Sequence, residues 1–461
     1  MKITSTRPFT TLAAFLPRIG AVLQGMLYIG ITFLSSPQLT AQQASAGNAP
    51  EEQFSLHAQE TIIYQNKPAF NAPYSGTNSI SPEADAQSTI TSTLFLGTRL
   101  WQNASLFLNP ELGGGSGLSG ATGIAAQTNG ESYRVGDPKP QIELARLYFR
   151  QIFALDTTTQ FQTSDANQIA GTVPVSYFSI TVGKISIADY FDDNKYSHDP
   201  RTQFIDWALM DNGAWDYPAN TRGYTPSIVL EYITKLHELR YALSLVAKEA
   251  NGSDMNWNIA DAWSQTLEYT YRYQCSGREG AARLLGFLTR ANMGNYDESI
   301  EQNPAAPDII ADRRNGRTKY GFGASVDQEL TDAVGAFARA GWNDGKNETW
   351  MFTEIDRSLS GGISVSGRGW NREHDCFDLA YAVSGLSDSH RRYLEAGGSG
   401  FILGDGKLNY APEHVIEANY SLSLTNNITV SGIYQLVVNP GYNSDRHGPV
   451  HVFSVRMHVG V

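Results

Sequence analysis

The sequence predicts an all-β protein: a transmembrane outer-membrane β-barrel of 16 antiparallel strands with short periplasmic turns and long outer loops. Three observations favour this fold. Apolar and polar residues alternate repeatedly along the chain, the N-terminus has the features of an export signal, and no later stretch approaches the ~18 consecutive apolar residues of a membrane helix. A mean hydropathy of −0.30 with 41% hydrophobic residues also fits, because half of each strand in a wet barrel is polar.

The clearest alternation lies near the C-terminus, in residues 416–425 and 428–438. Successive side chains on a strand point to opposite faces, so each run presents one apolar and one mainly polar face. The intervening Asn426-Asn427 fits a two-residue hairpin turn, because asparagine tolerates positive φ angles. Each run has about 9–11 residues, which is the length that a tilted strand needs to cross a membrane. Two adjacent, antiparallel spanning strands are therefore predicted.

The same alternation recurs in residues 178–183, 239–248, 267–274, 319–327 and 453–461. A soluble β-sandwich also has alternating strands and is the competing fold for any single hairpin. However, the polar faces of these runs repeatedly carry arginine, lysine and glutamate, whose burial in a sandwich core is costly. A water-filled lumen removes that cost, so the barrel is the favoured interpretation.

Loop lengths predict the topology. Bacterial barrels have short periplasmic turns and long outer loops, which makes Asn426-Asn427 periplasmic and residues 439–449 an outer loop. Both termini then lie in the periplasm, and the strand number is even. Sixteen strands give about 26 residues for each strand with its share of loop, a reasonable density for a barrel of this class.

The N-terminal segment resembles a secretory signal peptide. The first 50 residues carry three charges, namely Lys2, Arg7 and Arg18, and an uncharged apolar stretch covers residues 19–34. Small residues follow, and cleavage is expected after Ala41, with Ala46 as the alternative position. A retained N-terminal anchor is the other interpretation.

Three regions follow from this assignment: a signal peptide over residues 1–41, a short polar segment over residues 42–53, and the barrel over residues 54–461. Removal of the signal makes the formal net charge of −12 more negative by three. This acidic balance argues against nucleic-acid binding, which requires a basic surface. Cys275 and Cys376 can pair in an oxidising compartment, but two cysteines do not form a disulfide framework.

The chain is similar to the carbohydrate-selective porin (OprB) family from about residue 54 to residue 461. The resemblance is carried by residues 183–192, 199–204, 207–210, 212–218 and 221–224, and further by residues 74–79, 99–101, 109–111, 129–131, 319–323, 341–345, 404–406 and 439–440. It implies a 16-stranded outer-membrane barrel of a Gram-negative bacterium that passes sugars by diffusion, with no cofactor and no energy coupling. Two positions depart from the family pattern: Val461 stands where an aromatic residue is common, and Ala126-Gln127 stands where a Gly-aromatic pair is common.

Enzymatic and metal-binding motifs are incomplete in this chain. Residues 113–117 are glycine-rich but lack the Gly-Lys-Ser/Thr of a phosphate-binding loop. Asp192-Asp193-Asn194 offers oxygen ligands for calcium, yet no glycine turn or distal glutamate completes a loop of that type. The histidines have no metal-binding spacing, and no serine lies in a Gly-x-Ser-x-Gly elbow. The sequence therefore predicts neither an enzyme nor a cofactor or metal site.

The predicted function is passive, carbohydrate-selective diffusion of small sugars such as glucose across the outer membrane. A general or cation-preferring porin is the alternative that the acidic balance favours. A secreted, soluble sugar-binding β-protein is the alternative of another class. The expected partners are small sugars and outer-membrane lipid; the sequence does not decide the oligomeric state, and a monomer is the working expectation.

Charged side chains at the narrowest point of the pore are expected to bond sugar hydroxyls. Arg99 is opposite in parity to its apolar neighbours, as a lumen-facing residue is, and Glu111 has the parity of a lumen-facing residue on the next strand. Both are predicted to form the constriction, with Glu131 and Arg146 as further candidates. The alternative is that Arg99 and Glu111 only brace a loop against the wall.

Aromatic rings are the second expected element of sugar binding, because their faces pack on the apolar C–H groups of a sugar. Trp101 is the predicted sugar contact, and Trp342 and Trp370 are further candidates. The alternative for each is a place in the aromatic girdle at the membrane interface.

Overall fold

The described residues form a closed barrel of sixteen antiparallel strands in a computed structural model that covers residues 51–461. Strands neighbouring in sequence are neighbours in the barrel, β4 pairs with β7, and β1 pairs with β18 to close the sheet. β5 and β6 form a separate two-stranded sheet. The strands are β1 (Phe54–Lys67), β2 (Asp85–Trp101), β3 (Ala104–Gly115), β4 (Gln141–Ala154), β5 (Thr159–Gln162), β6 (Gly171–Pro174), β7 (Tyr177–Ile185), β8 (Thr225–Ile233), β9 (His237–Ser244), β10 (Trp263–Cys275), β11 (Arg278–Met293), β12 (Arg314–Glu329), β13 (Val334–Asn343), β14 (Arg357–Ser366), β15 (Cys376–Gly385), β16 (Glu413–Thr425), β17 (Ile428–Val438) and β18 (Val450–Gly460).

The predicted hairpin near the C-terminus is confirmed, with β16 ending at Thr425 and β17 beginning at Ile428. Its two faces also follow the predicted orientation. Ile416 and Tyr420 are exposed on the outer surface, whereas Glu417 and Asn419 are fully buried inside the barrel. This is the opposite of a soluble sandwich, in which the apolar face is buried. The apolar outer face is suited to lipid.

Short and long connections lie at opposite ends of the barrel. The short turns are residues 102–103, 234–236, 276–277, 330–333 and 426–427, and the long connections include residues 116–140, 186–224, 245–262, 294–313 and 386–412. Both ends of the described chain lie at the short-turn end, where Val461 and Ala58 exchange backbone hydrogen bonds of 2.9 and 3.0 Å. One connection departs from the expected pattern: residues 155–176, between β4 and β7, are at the short-turn end and carry the β5–β6 hairpin.

The polar inner face of the wall binds long loops that fold into the barrel. Glu417 accepts hydrogen bonds from the backbone N–H groups of Ile205 and Asp206 at 2.8 and 2.9 Å. Arg456 donates to the backbone carbonyls of residues 200, 202 and 203. The expectation that water solvates the inner charges is therefore wrong for these two side chains, because loop backbone takes the place of water.

Three short helices lie in the long connections: α1 (Trp207–Met210), α2 (Tyr296–Gln302) and α3 (Asp388–Glu395). Within residues 51–461, no helix is long and apolar enough to cross a membrane. β9 ends at Ser244, four residues before the predicted end, because the chain turns into a long connection there. Cys275 and Cys376 are free thiols. The predicted signal peptide, residues 1–41, lies outside the described residues.

Candidate pore constriction

The connection between β7 and β8, residues 186–224, narrows the inside of the barrel. Its helix α1 begins at Trp207. The side chain of the preceding Asp206 accepts a hydrogen bond from the Ala208 N–H at 2.9 Å and so caps the helix. Trp207 then stacks on Phe352 of another long connection, with ring centroids 4.5 Å apart. Both rings are buried, so two long connections pack against each other inside the barrel.

Arg201 on this connection forms a charged cluster with two glutamates. Its guanidinium lies 3.1 Å from a carboxylate oxygen of Glu131 and 3.4 Å from one of Glu111. Glu111 also accepts hydrogen bonds from Tyr224 at 2.8 Å and from Thr93 at 2.6 Å. The cluster therefore joins the wall strands β2 and β3 to two long connections.

A second ion pair lies beside this cluster. Arg146 on β4 donates two hydrogen bonds of 2.6 Å to the carboxylate of Asp189, and its guanidinium carbon lies 5.0 Å from the centre of the Tyr224 ring. Arg222 covers the ring of Tyr133 at 3.8 Å. Charged groups and aromatic rings thus lie next to each other inside the barrel.

These groups line one open cavity of about 310 Å³, which is near the lower end of the size range of small-molecule sites. Its wall includes Glu111, Glu131, Arg146, Asp189, Arg201 and Tyr224. Trp207, Tyr217 and Phe352 add apolar ring surface. The cavity can therefore offer a small polar molecule both hydrogen-bonding groups and ring faces.

The loop residues of the cluster have shifted pKa values. Burial raises the pKa of Glu131, and the charge of Arg201 opposes part of that rise. Burial lowers the pKa of Arg201, but Glu131 and Glu111 outweigh it and raise that pKa well above its ordinary value. Burial and Glu111 together raise the pKa of Tyr224 well above its ordinary value. Arg201 therefore stays cationic and Tyr224 stays a hydrogen-bond donor at physiological pH.

The chain matches the carbohydrate-selective porin, OprB family, over residues 25–460. It belongs to that family. The porin is accordingly a channel of the Gram-negative outer membrane, and the soluble sugar-binding alternative is wrong. No curated protein matches the chain.

The chain is similar to two solved structures. The high-pH structure of Pseudomonas putida OprB is 15% identical, has a TM-score of 0.65, and matches over 89% of this chain and 94% of that chain. The outer membrane channel DcaP of Acinetobacter baumannii is 10% identical, has a TM-score of 0.49, and matches over 88% and 97%. At 15% identity the first likeness shows the fold alone.

The structure brings three of the predicted constriction residues together in this porin: Glu111, Glu131 and Arg146 line the same cavity. It does not bring Arg99 to them. In the antiparallel pairing of β2 with β3, Thr93 lies opposite Glu111, whereas Arg99 lies opposite Ser105. Arg99 therefore lies six residues closer to the short-turn end, about 20 Å along the strand at ~3.4 Å per residue. There it donates hydrogen bonds to the Glu52 and Ala170 carbonyls at 3.3 and 3.1 Å, as the bracing alternative describes.

Trp101 lies on the outer surface rather than in the lumen. It is 57% exposed, packs at 5.8 Å from the Phe149 ring, and donates to the Gln151 side chain at 2.8 Å. A register shift between Arg99 and Trp101 changes the face, so that parity alone mispredicts this side chain. The structure therefore places Trp101 outside the cavity.

The other two tryptophans also lie outside the lumen. Trp342 packs on the exposed ring of Phe322 at 5.9 Å, and Trp370 donates to the Tyr420 hydroxyl at 3.0 Å. The girdle alternative describes both. The rings that line the cavity come from the long connections, except for Phe95 on β2.

Sequence reasoning missed Arg201, Arg222, Tyr224 and Asp189 as site residues. All four lie within residues 186–224, where strand-like alternation stops and charged and aromatic residues are dense. A 39-residue connection between two strands was the signal that this segment folds into the barrel.

The segment Asp192-Asp193-Asn194, which offers oxygen ligands for calcium, has a different role in the structure. Asp192 pairs with Arg339 at 2.9 Å and accepts a hydrogen bond from the Asn212 N–H at 2.7 Å. Among residues 51–461, no group of three or more histidine, cysteine, aspartate or glutamate side chains is arranged to hold a metal ion. Asp192 instead fixes the inward connection to β13.

Proposed function

We propose that this porin passes small neutral sugars such as glucose by passive diffusion through the cavity around Arg201. The observation that carries the proposal is the joint lining of one cavity by paired charges and aromatic rings. Ionised groups form strong hydrogen bonds with sugar hydroxyls, while ring faces pack on sugar C–H groups.

The pairing of charges favours a neutral solute. Arg201 faces Glu111 and Glu131, Arg146 faces Asp189, and Arg222 faces Glu143, so each of these three arginines has a carboxylate partner within 3.5 Å. A sugar can bond both members of a pair without carrying charge itself. Several weak contacts of this kind also suit conduction, because a tight site retains its cargo.

The alternative is a general or cation-preferring channel, and one observation favours it. Asp199 and Asp211 line the same cavity as the paired charges, and they add negative charge to it. The sugar channel and the cation-preferring channel therefore differ in what they must pass. A cation-preferring channel passes small cations whether or not it passes sugar.

Liposome swelling is the test. Proteoliposomes containing the full chain are placed in isosmotic glucose, in a disaccharide and in the sodium salt of a sugar acid. We expect the fastest swelling in glucose, slower swelling in the disaccharide, and slower swelling in the acid than in glucose. Cation current without measurable sugar flux contradicts the proposal and supports the cation-preferring channel.

A further inference from the structure

The β5–β6 hairpin extends into the lumen from the short-turn end. Its tip is a tight turn in which Asp165 and Gln168 exchange backbone hydrogen bonds of 2.9 and 3.3 Å. Asn167 in this turn has a φ of +57°, a left-handed conformation that asparagine and glycine adopt most readily. The turn therefore fixes the direction of the Cα–Cβ bond of Asn167.

The base of the hairpin is clamped to the start of the barrel. The Ala170 carbonyl accepts hydrogen bonds from the Glu52 N–H at 3.0 Å and from Arg99 at 3.1 Å. The Ala170 N–H donates to the Glu52 carboxylate at 3.1 Å, and the Ser164 hydroxyl lies 3.0 Å from the His57 ring. Arg99 thus holds the hairpin in place from β2.

Asn167 is shared by two cavities. It lines the cavity that contains Arg201 and Glu111, and it also lines a second cavity of about 70 Å³ with Arg99 and Arg150. The Asn167 side chain therefore borders both cavities. The amide oxygen of Asn167 is buried and accepts no hydrogen bond from the residues that the structure describes. A buried acceptor of this kind has capacity for a hydroxyl donor.

We propose that Asn167 is a second specificity-determining residue, at which the amide oxygen accepts a hydrogen bond from a sugar hydroxyl on the periplasmic side of the charged cluster. Arg99 is a positioning residue that acts through the hairpin. This inference rests on the proposed sugar channel and adds a second contact point, so that a sugar exchanges one set of hydrogen bonds for another as it leaves.

The test is sugar block of the ion current through the purified porin in planar bilayers. Asn167→Gly removes the amide and retains the left-handed turn, whereas Asn167→Asp retains the acceptor oxygen. Gln160→Ala is the matched control, because it removes an exposed amide from the same hairpin. Loss of one hydrogen bond predicts that the half-blocking glucose concentration rises about three- to tenfold in Asn167→Gly. It should stay near the wild-type value in Asn167→Asp and Gln160→Ala.

A double-mutant cycle tests the role of Arg99. If Arg99 acts through the hairpin, Arg99→Ala weakens block in the wild-type background and adds little in the Asn167→Gly background. Equal block in wild type and Asn167→Gly overturns the inference, and so does equal weakening in Asn167→Gly and Gln160→Ala. Absence of glucose block and glucose flux in the wild type is a different result, because it contradicts the proposed function itself.

Discussion

The guanidinium of Arg201 lies 3.1 Å from the carboxylate of Glu131, and these two residues belong to different long connections of the barrel. Arg201 also reaches Glu111 on the wall strand β3 at 3.4 Å. The charged cluster of this porin is therefore built where two inward-folded loops meet each other and the wall. Neither loop alone supplies both members of the Arg201–Glu131 pair.

Glu111→Gln tests the wall side of this arrangement. The variant keeps a hydrogen-bonding side chain but loses the charge that faces Arg201 and Tyr224. Because a hydrogen bond to a charged group is worth about 1.5–3 kcal/mol, we expect sugar block to weaken about tenfold or more. Glu279→Gln, whose side chain is mostly exposed, is the matched control and should leave block unchanged. Indistinguishable block in both variants removes Glu111 from the constriction.

Arg99→Ala should loosen the periplasmic hairpin without widening the charged cluster. The arginine holds the Ala170 carbonyl and lies about 20 Å from the level of Glu111. Limited proteolysis of the purified porin should therefore cleave residues 155–176 several-fold faster in the variant. Unchanged cleavage means that the Glu52 contacts alone hold the hairpin.

Cysteine labelling of intact cells tests the topology. Cys275 and Cys376 lie near the short-turn end and are first replaced by serine. A membrane-impermeant reagent should then label Ser444→Cys in the last long connection and leave Asn426→Cys in the short turn unlabelled. Both positions should react after the cells are opened. Labelling of Asn426→Cys alone in intact cells reverses the orientation.

Glu354 should make the packing of the long connections dependent on pH. Its carboxylate accepts the N–H groups of Phe401 and Leu403 at 3.0 and 2.8 Å, and burial raises its pKa from 4.5 to about 8. Because the pKa of Glu354 is higher in the folded than in the unfolded protein, the contribution of the protonated side chain to folding stability is fully present below about pH 4.5. It is lost progressively as pH rises to about 8, on the order of a few kcal/mol.

Hydrogen exchange at Phe401 and Leu403, corrected for the intrinsic effect of pH, measures this loss. Protection should decrease from pH 5 to pH 8 in the wild type. Glu354→Gln keeps an acceptor oxygen but does not ionise, so its protection should be nearly independent of pH. The same decrease in both proteins assigns the pH dependence to another group.

The alternation of side chains predicted the barrel because each strand has its own lipid-facing and inner faces. The inward orientation of Glu111 and Glu417 follows from the sequence in this way, because on a regular strand the parity of a residue alone decides which face its side chain lies on. The level of Arg99 depends in addition on the turn at residues 102–103, and the face of Trp101 depends on a register shift next to it.

The positions of the loop residues in the charged cluster could not be predicted from the local sequence pattern. Arg201 and Tyr224 reach the cluster through contacts with residues 70 to 113 positions away in sequence. Such contacts depend on how the long connections fold into the barrel, and no periodicity encodes that. The resemblance to the family covered residues 199–204 and 221–224, but similarity alone did not assign them a place in the pore.

Glucose block of the ion current in Arg201→Ala is the most direct test of the central claim that paired charges around Arg201 select sugars. Arg278→Ala is the matched control, because Arg278 also pairs with acidic side chains but lies at a short turn. We predict that Arg201→Ala raises the open-channel conductance and raises the half-blocking glucose concentration at least tenfold, whereas Arg278→Ala changes neither. A glucose titration of Arg201→Ala that superimposes on the wild-type curve, with unchanged conductance, contradicts the claim.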